Sequence, residues 1–169
     1  MQTKALVLAL LLSGCVVTPP PPTNITDIAV YFVGYDERKH RAALRDLMNV
    51  DPVRTEWCAA FVNAILHLEG LPGSESVSDA PLMARSFLRW GESVLREDIQ
   101  RGDIVIFPRG REGWQGHVGF YIETVYEDGV EYWSILGGNQ DNTVSYELYA
   151  AKRAIAVRRH KVKLYGLDE

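Results

Sequence analysis

The side chain in this sequence with the clearest capacity for covalent chemistry is the thiol of Cys58. Thr55 is a favourable N-cap for an apolar helix over residues 57–68, which places Cys58 in the first helical turn. Free backbone amides and the helix dipole at that position favour the thiolate, which is the nucleophilic form of cysteine. A free cysteine is also among the most buried residue types, so a small core side chain is the alternative interpretation.

His117 is the side chain best placed to act as a base toward that thiol. It follows the glycine-containing segment 109–116 and begins a predicted strand, so its imidazole is expected to face a cleft at the strand end. A partly exposed histidine bonded to a carbonyl is the alternative. His40 and His160 lie among charged residues and are weaker candidates.

Asn139 is the expected partner of that imidazole. Asp128-Gly129 predicts a two-residue hairpin turn, which places His117 opposite position 140, and a one-residue bulge would place it beside Asn139. An asparagine carbonyl that accepts the imidazole N–H leaves the other ring nitrogen free to serve the cysteine. A turn asparagine following two glycines is the alternative.

The elements that must position these residues change type along the chain. Helical patterns come first, over residues 27–48 in two pieces, 57–68 and 80–90. Apolar and β-branched runs then predict five strands, over 104–107, 118–122, 131–136, 144–148 and 155–157. Helices followed by antiparallel strands predict an α+β fold, with the N-terminal helices packed on the sheet.

Length and composition indicate one globular domain. The chain has 169 residues, of which 47% are hydrophobic and 24% charged, close to the average of soluble domains. The formal net charge of −4 and the absence of a long basic run argue against a nucleic-acid partner. The sequence also has no phosphate-binding glycine loop and no cluster of cysteines and histidines at metal-ligand spacing, so no chemistry that competes with the thiol is visible.

The N-terminus has the features of an export signal. Lys4 precedes the apolar run 5–12, which is too short to span a bilayer, and residues 12–15 (LSGC) resemble the lipobox of bacterial lipoproteins. The predicted organisation is a signal peptide over 1–14, a lipidated Cys15 with a proline-rich spacer over 15–26, and a domain over 27–169. Lipid on Cys15 would leave Cys58 as the only thiol. An ordinary secretory signal is the alternative.

Four segments resemble, in their order, the motifs of the CHAP and NlpC-type cell-wall cysteine hydrolases. They are residues 55–63 (TEWCAAFVN), 101–107 (RGDIVIF), 116–121 (GHVGFY) and 136–140 (LGGNQ). The resemblance implies a papain-like α+β fold that cleaves amide bonds in peptidoglycan peptide stems, as an endopeptidase or amidase without a cofactor. Cys58 matches the nucleophile, His117 the base and Asn139 the polar residue that follows; Gly137 stands where many members have an acid.

Substrate contacts and location are further expectations. Trp57 beside the nucleophile, with Trp114 and Arg111 in the segment before His117, are candidates to line a cleft. Core packing or solvent exposure is the alternative interpretation of each and is the favoured one. A lipid on Cys15 implies attachment to the outer membrane, facing the periplasm, or to the outer face of the cytoplasmic membrane. Two alternatives stay open: a non-catalytic lipoprotein that binds peptidoglycan or a partner, and an acyl or amide transferase that uses the same thiol.

Overall fold

Three helices precede an antiparallel sheet in the chain, and together they form an α+β fold. The computed structural model describes residues 24–161, so the predicted signal peptide and Cys15 lie outside the described residues. The helices are α1 (Ile25–Val30), α2 (Arg41–Met48) and α3 (Cys58–Leu68). The strands are β1 (Glu92–Ser93), β2 (Ile104–Pro108), β3 (Gly116–Glu127), β4 (Val130–Gln140), β5 (Thr143–Ala150) and β6 (Ala156–Arg159).

The sheet has the strand order β1-β6-β2-β3-β4-β5, and every neighbouring pair is antiparallel. All five predicted strands are confirmed, although β3, β4 and β5 are longer than predicted. β1 was not predicted, because a two-residue edge strand carries no period that a sequence pattern can reveal. Helix α1 begins at Ile25, two residues before the predicted start of the domain.

The β3–β4 hairpin forms around the predicted turn. Asp128 and Gly129 have φ angles of 49° and 75°, as a two-residue turn with two left-handed residues requires. The predicted register holds as far as the pair formed by Glu123 and Ser134, and then shifts by one residue, so that Tyr121 faces Ile135. The hairpin and its one-residue bulge are therefore both confirmed.

Helix α3 is the buried centre of the helical layer. Nine consecutive residues from Cys58 to Leu66 are buried, so the helix packs over its whole circumference for two and a half turns. The N-cap is Trp57, which makes no side-chain cap bond, and not Thr55 as predicted. Cys58 nevertheless occupies the first helical position, which confirms its placement in the first turn.

The sheet is covered on both faces. Alternate strand residues such as Ile106 and Val118 pack with the α-helices, whereas Phe107 belongs to a second apolar cluster that contains no residue of α1, α2 or α3. The second cluster is completed by residues on the far face: Val105, Tyr121, Trp133, Ile135, Ala151, Ala154 and Val157. Because Phe107 pairs directly with His117, the imidazole lies on this second face of the sheet.

The predicted helix over residues 80–90 is wrong. The segment forms only a 3-10 helix over Ala84–Arg89, and Pro81 lies three residues before it begins. Proline lacks the backbone N–H that a helix interior requires, so the chain adopts turns before Met83 instead. In the part of the chain that the structure describes, no helix is both long enough and apolar enough to cross a bilayer.

A buried ion pair anchors β6 to the turn that leads into β2. Asp103 is 2% exposed and accepts two hydrogen bonds of 2.7 Å from the Arg159 guanidinium, one on each carboxylate oxygen. Its Oδ2 also accepts from the backbone N–H of Gln100, which closes the turn that leads into β2. Bidentate arginine–carboxylate pairs of this kind are among the strongest polar contacts in proteins.

Replacing Asp103 with asparagine is expected to lower the free energy of unfolding by about 2–3 kcal/mol, because Arg159 loses the buried carboxylate that compensates its charge. Urea denaturation followed by circular dichroism measures the change. Glu97→Gln, at an exposed position nearby, is the control and should alter stability by less than about 0.5 kcal/mol. Equal effects of the two substitutions would contradict the importance of this pair.

Candidate active site

Cys58 lies at the point where α3 meets β3. Its side chain is 4% exposed, and the backbone amide of Val118 lies close enough to its sulfur to favour the thiolate. Val118 follows His117 in β3, so the start of α3 contacts the strand residue next to the histidine. A direct approach of the thiol to the imidazole stays a prediction.

The imidazole of His117 is held by an amide through one nitrogen only. His117 is 1% exposed, and its Nε2 lies 2.9 Å from Oε1 of Gln140. The Gln140 amide nitrogen donates to the backbone oxygens of Ser145 and Ile135, at 2.6 Å and 3.2 Å, so Oε1 must accept from the imidazole. His117 Nδ1 is buried without a hydrogen-bond partner among the described residues, and this tautomer leaves it unprotonated.

Tyr149 holds the plane of the imidazole. Its ring stacks on His117 with centroids 5.3 Å apart and on Phe107 with centroids 4.6 Å apart. The Tyr149 hydroxyl donates to Glu147 at 2.9 Å and lies 3.4 Å from the oxygen of Gln140 that the imidazole contacts. The ring stack restricts rotation of the imidazole and shields it from water.

Asn139 does not contact the imidazole, and the predicted partner of His117 is replaced by its neighbour Gln140. The Asn139 side-chain amide donates to Glu56 at 2.7 Å, and its φ angle of 58° is left-handed. The β4–β5 pairing is irregular between Gly137 and Gln140. This second irregularity turns the Asn139 side chain away from His117 and directs that of Gln140 toward it.

Gly137 leaves the space that Gln140 uses. A Cβ atom at position 137 would lie 3.1 Å from Gln140 Oε1 and 3.3 Å from His117 Nε2. An acidic side chain at position 137 would therefore compete with the Gln140 amide for the same space. Many proteins whose motif residues 136–140 resemble have an acid at this position. The shifted hairpin register places position 139 opposite His117, so the sequence pattern contained no signal for Gln140.

The electrostatic state of the pair differs from the prediction. Burial raises the pKa of the Cys58 thiol, and the Val118 amide and the Arg109 charge offset this only in part. Burial lowers the pKa of His117 to about 4, against the opposing effect of its hydrogen bond to Gln140. At neutral pH both groups are uncharged, so the helix terminus does not produce the resting thiolate that we expected.

A cleft of about 390 Å³ opens beside Cys58. Its walls are the apolar residues Leu82, Met83, Ala84 and Trp114, two side chains of opposite charge, Glu56 and Arg109, and residues 110, 115 and 116. Trp114 was predicted here and is 60% exposed. A larger cavity of about 790 Å³ adjoins this cleft at Met83 but does not include Cys58 or His117.

Trp57 does not line this cleft, contrary to the prediction. It is fully buried, donates from Nε1 to Glu37 at 3.4 Å, and packs against Phe61 and the backbone of Gly138. It therefore packs at the start of α3 within the core and does not face the cleft. The loop before β3 contributes Arg109 to the cleft, and Arg111 is not among the lining residues.

Within residues 24–161 no group of three or more histidine, cysteine or acidic residues is arranged to hold a metal ion. Comparison of the chain with models of protein families gives no match. No curated protein is significantly similar to it in sequence.

The low pKa of His117 has a consequence for stability. The unfolded chain protonates this histidine at about pH 6.5 and the folded chain only near pH 4, so the unfolded state binds more protons between these values. We expect this contribution to stability to be complete above pH 6.5 and to be lost, by at most about 3 kcal/mol, as the pH falls to about 4. Denaturation of wild type and His117→Gln across this range measures it.

The comparison uses the slope of stability against pH rather than its absolute value, because the substitution itself perturbs the packing. His67→Gln, at an exposed histidine paired with Glu75, is the matched control. His117→Gln should flatten the pH dependence between pH 6.5 and 4, and His67→Gln should not. A wild-type slope that persists in His117→Gln would show that the buried imidazole is not its source.

Proposed function

We propose that this protein is a cysteine hydrolase that cleaves amide bonds in the peptide stems of peptidoglycan, as an endopeptidase or amidase with a papain-like domain of the CHAP or NlpC type. The observation that carries the proposal is the bonding of His117: Nε2 is held by Gln140, and Nδ1 is buried and unprotonated. Tyr149, whose ring stacks on this imidazole, lies within electrostatic reach of Cys58, which supports a thiol facing the free nitrogen. A buried histidine with one free nitrogen beside a thiol matches the requirements of a general base for covalent catalysis.

The arrangement supports an acyl-transfer mechanism in two stages. The Cys58 sulfur attacks the substrate carbonyl carbon while its proton passes to Nδ1 of His117, and the proton then moves to the leaving amine as the C–N bond breaks. Water attacks the resulting thioester, gives its proton to Nδ1, and releases the acid as the sulfur recovers a proton. The unpaired amides of the first turn of α3 are available to stabilise the oxyanion.

The neutral resting pair fits this scheme. Because burial opposes charge on both groups, a separated thiolate and imidazolium are unfavourable before substrate enters. Proton transfer is then coupled to attack, and Gln140 stabilises the imidazolium that forms through its Oε1. Gln140 is thus a positioning residue in this proposal, and Asn139 is not the third member of the catalytic group.

Location is the second part of the proposal. A lipid on Cys15 and the proline-rich spacer would hold the domain outside the cytoplasmic membrane, where peptidoglycan is found. These residues lie outside the described range, so this part rests on residues 12–15 and their resemblance to a lipobox. Mass spectrometry of the protein purified from membranes would reveal a diacylated Cys15, and a chain that retains residues 1–14 would contradict it.

We expect the detergent-solubilised protein to release soluble fragments from purified sacculi and Cys58→Ala to abolish the release, because no other thiol is present in the described residues. Circular dichroism confirms that the variant folds. His67→Gln, a substitution distant from the thiol, should remain as active as wild type. Intact sacculi with wild-type protein, or full activity of Cys58→Ala, would exclude the hydrolase. Masses of the fragments separate hydrolysis, which adds water, from transfer to another amine.

Gln140 and Asn139 can be separated by kinetics on a released stem peptide. Gln140→Ala should lower kcat roughly 10-fold to 100-fold with little change in KM, because the imidazole loses its orienting acceptor. It should also move the acid limb of the pH profile to lower pH. The hydrogen bond to Gln140 raises the pKa of His117, so its removal lowers that pKa. Asn139→Gly, which suits the left-handed backbone, should leave that limb in place. The reverse pattern would restore the assignment of Asn139.

A further inference from the structure

The cleft beside Cys58 contains a cation without an acidic partner. Arg109 lines the cleft, and its Nη1 makes one long hydrogen bond of 3.3 Å to the backbone oxygen of Asn139. None of the ion pairs among the described residues includes Arg109. A guanidinium has five N–H donors, so most of the donor capacity of Arg109 is directed at solvent in the cleft.

The loop that carries Arg109 is ordered by its own contacts. The side-chain oxygen of Gln115 accepts from the backbone N–H groups of Arg111 and Glu112, at 2.8 Å and 3.0 Å. Arg85 donates from Nε to the Gln115 backbone oxygen at 2.9 Å, which ties the loop to the 3-10 helix on the opposite wall. The backbone from which Arg109 projects is therefore held in place before substrate binds.

The only carboxylate in the lining of this cleft is already engaged. Glu56 accepts from the side-chain amide of Asn139 at 2.7 Å, while the backbone oxygen of the same residue accepts from Arg109. Asn139 thus lies between two opposite charges that do not form an ion pair with each other within 4.0 Å. The positive charge of Arg109 remains available to a ligand against largely apolar walls.

We infer that Arg109 binds a free carboxylate of the substrate close to the scissile amide, so that the enzyme prefers acidic stem peptides to those in which this carboxylate is amidated. This inference rests on the proposed function and adds the chemical class of its substrate. Planar guanidinium groups bind carboxylates through two parallel hydrogen bonds, which a neutral primary amide cannot reproduce. Two carboxylates of a stem have this chemistry: the α-carboxylate of its glutamyl residue and the free carboxylate of its diamino acid.

Arg109 has a second possible role that the test must separate. Its charge lies near enough to affect both Cys58 and His117. An effect of that kind acts on the reacting groups and changes the rate for every substrate by the same factor. A substrate contact instead changes the ratio between two substrates that differ only in the carboxylate.

The experiment compares kcat/KM for matched synthetic stem peptides with the detergent-solubilised full-length protein. One pair has the glutamyl carboxylate free or amidated, and a second pair has the diamino-acid carboxylate free or amidated. Wild type should prefer the free acid in one of the pairs by at least about tenfold. Arg109→Gln should bring that ratio to about one, and Arg109→Lys should leave an intermediate ratio. Arg111→Gln, in the same loop but outside the cleft lining, should keep the wild-type ratio.

Binding of the same peptides to Cys58→Ala, measured by calorimetry, separates this inference from the proposed hydrolysis. Tighter binding of the acid form that disappears in Cys58→Ala/Arg109→Gln supports the inference even if wild type cleaves no peptide, in which case the hydrolase proposal fails alone. Equal binding of acid and amide forms overturns the inference while leaving cleavage unaffected. Proportional losses on both members of a pair in Arg109→Gln also overturn it.

Discussion

An imidazole buried in a sheet must have its polar atoms satisfied or stay neutral, and the site around His117 follows from that constraint. One ring nitrogen donates to Gln140, whose own amide is fixed by backbone oxygens of β4 and β5. The Tyr149 ring covers the imidazole face. What remains is a single unprotonated nitrogen, which we propose faces the Cys58 thiol, and burial keeps both groups uncharged at neutral pH.

Two irregularities in the sheet produce this arrangement. The bulge in the β3–β4 hairpin shifts the register by one residue before His117 is reached. The second, between Gly137 and Gln140, separates the directions of two consecutive side chains. Asn139 consequently turns to Glu56 and Gln140 to the imidazole. Bulges commonly redirect side chains beside functional sites. Here they bring Gln140 to the imidazole and leave Asn139 between the opposite charges of Glu56 and Arg109.

The cleft and the buried pair place different demands on the same few residues. Cys58 and His117 are buried, whereas the peptide substrate that we propose would have to enter from solvent. The structure meets both by burying the thiol at the inner end of an open cleft whose walls carry Trp114 and Arg109. Asn139 connects the two regions, because its side chain and its backbone oxygen hold the opposite charges at the cleft floor.

The sequence by itself determined most of the elements, because they depend on local pattern: helix α3 to within one residue of its start, five of the six strands and the turn at Asp128 all follow from periodicity and turn chemistry. Tertiary structure alone decided which amide meets His117, since that depends on irregularities in two strand pairings. It also decided the burial of the tryptophan before the thiol, and the neutral state of the thiol itself. The pKa of a buried group and the shape of a cleft depend on residues that are far apart in the chain. A local sequence pattern does not contain the distances between such residues.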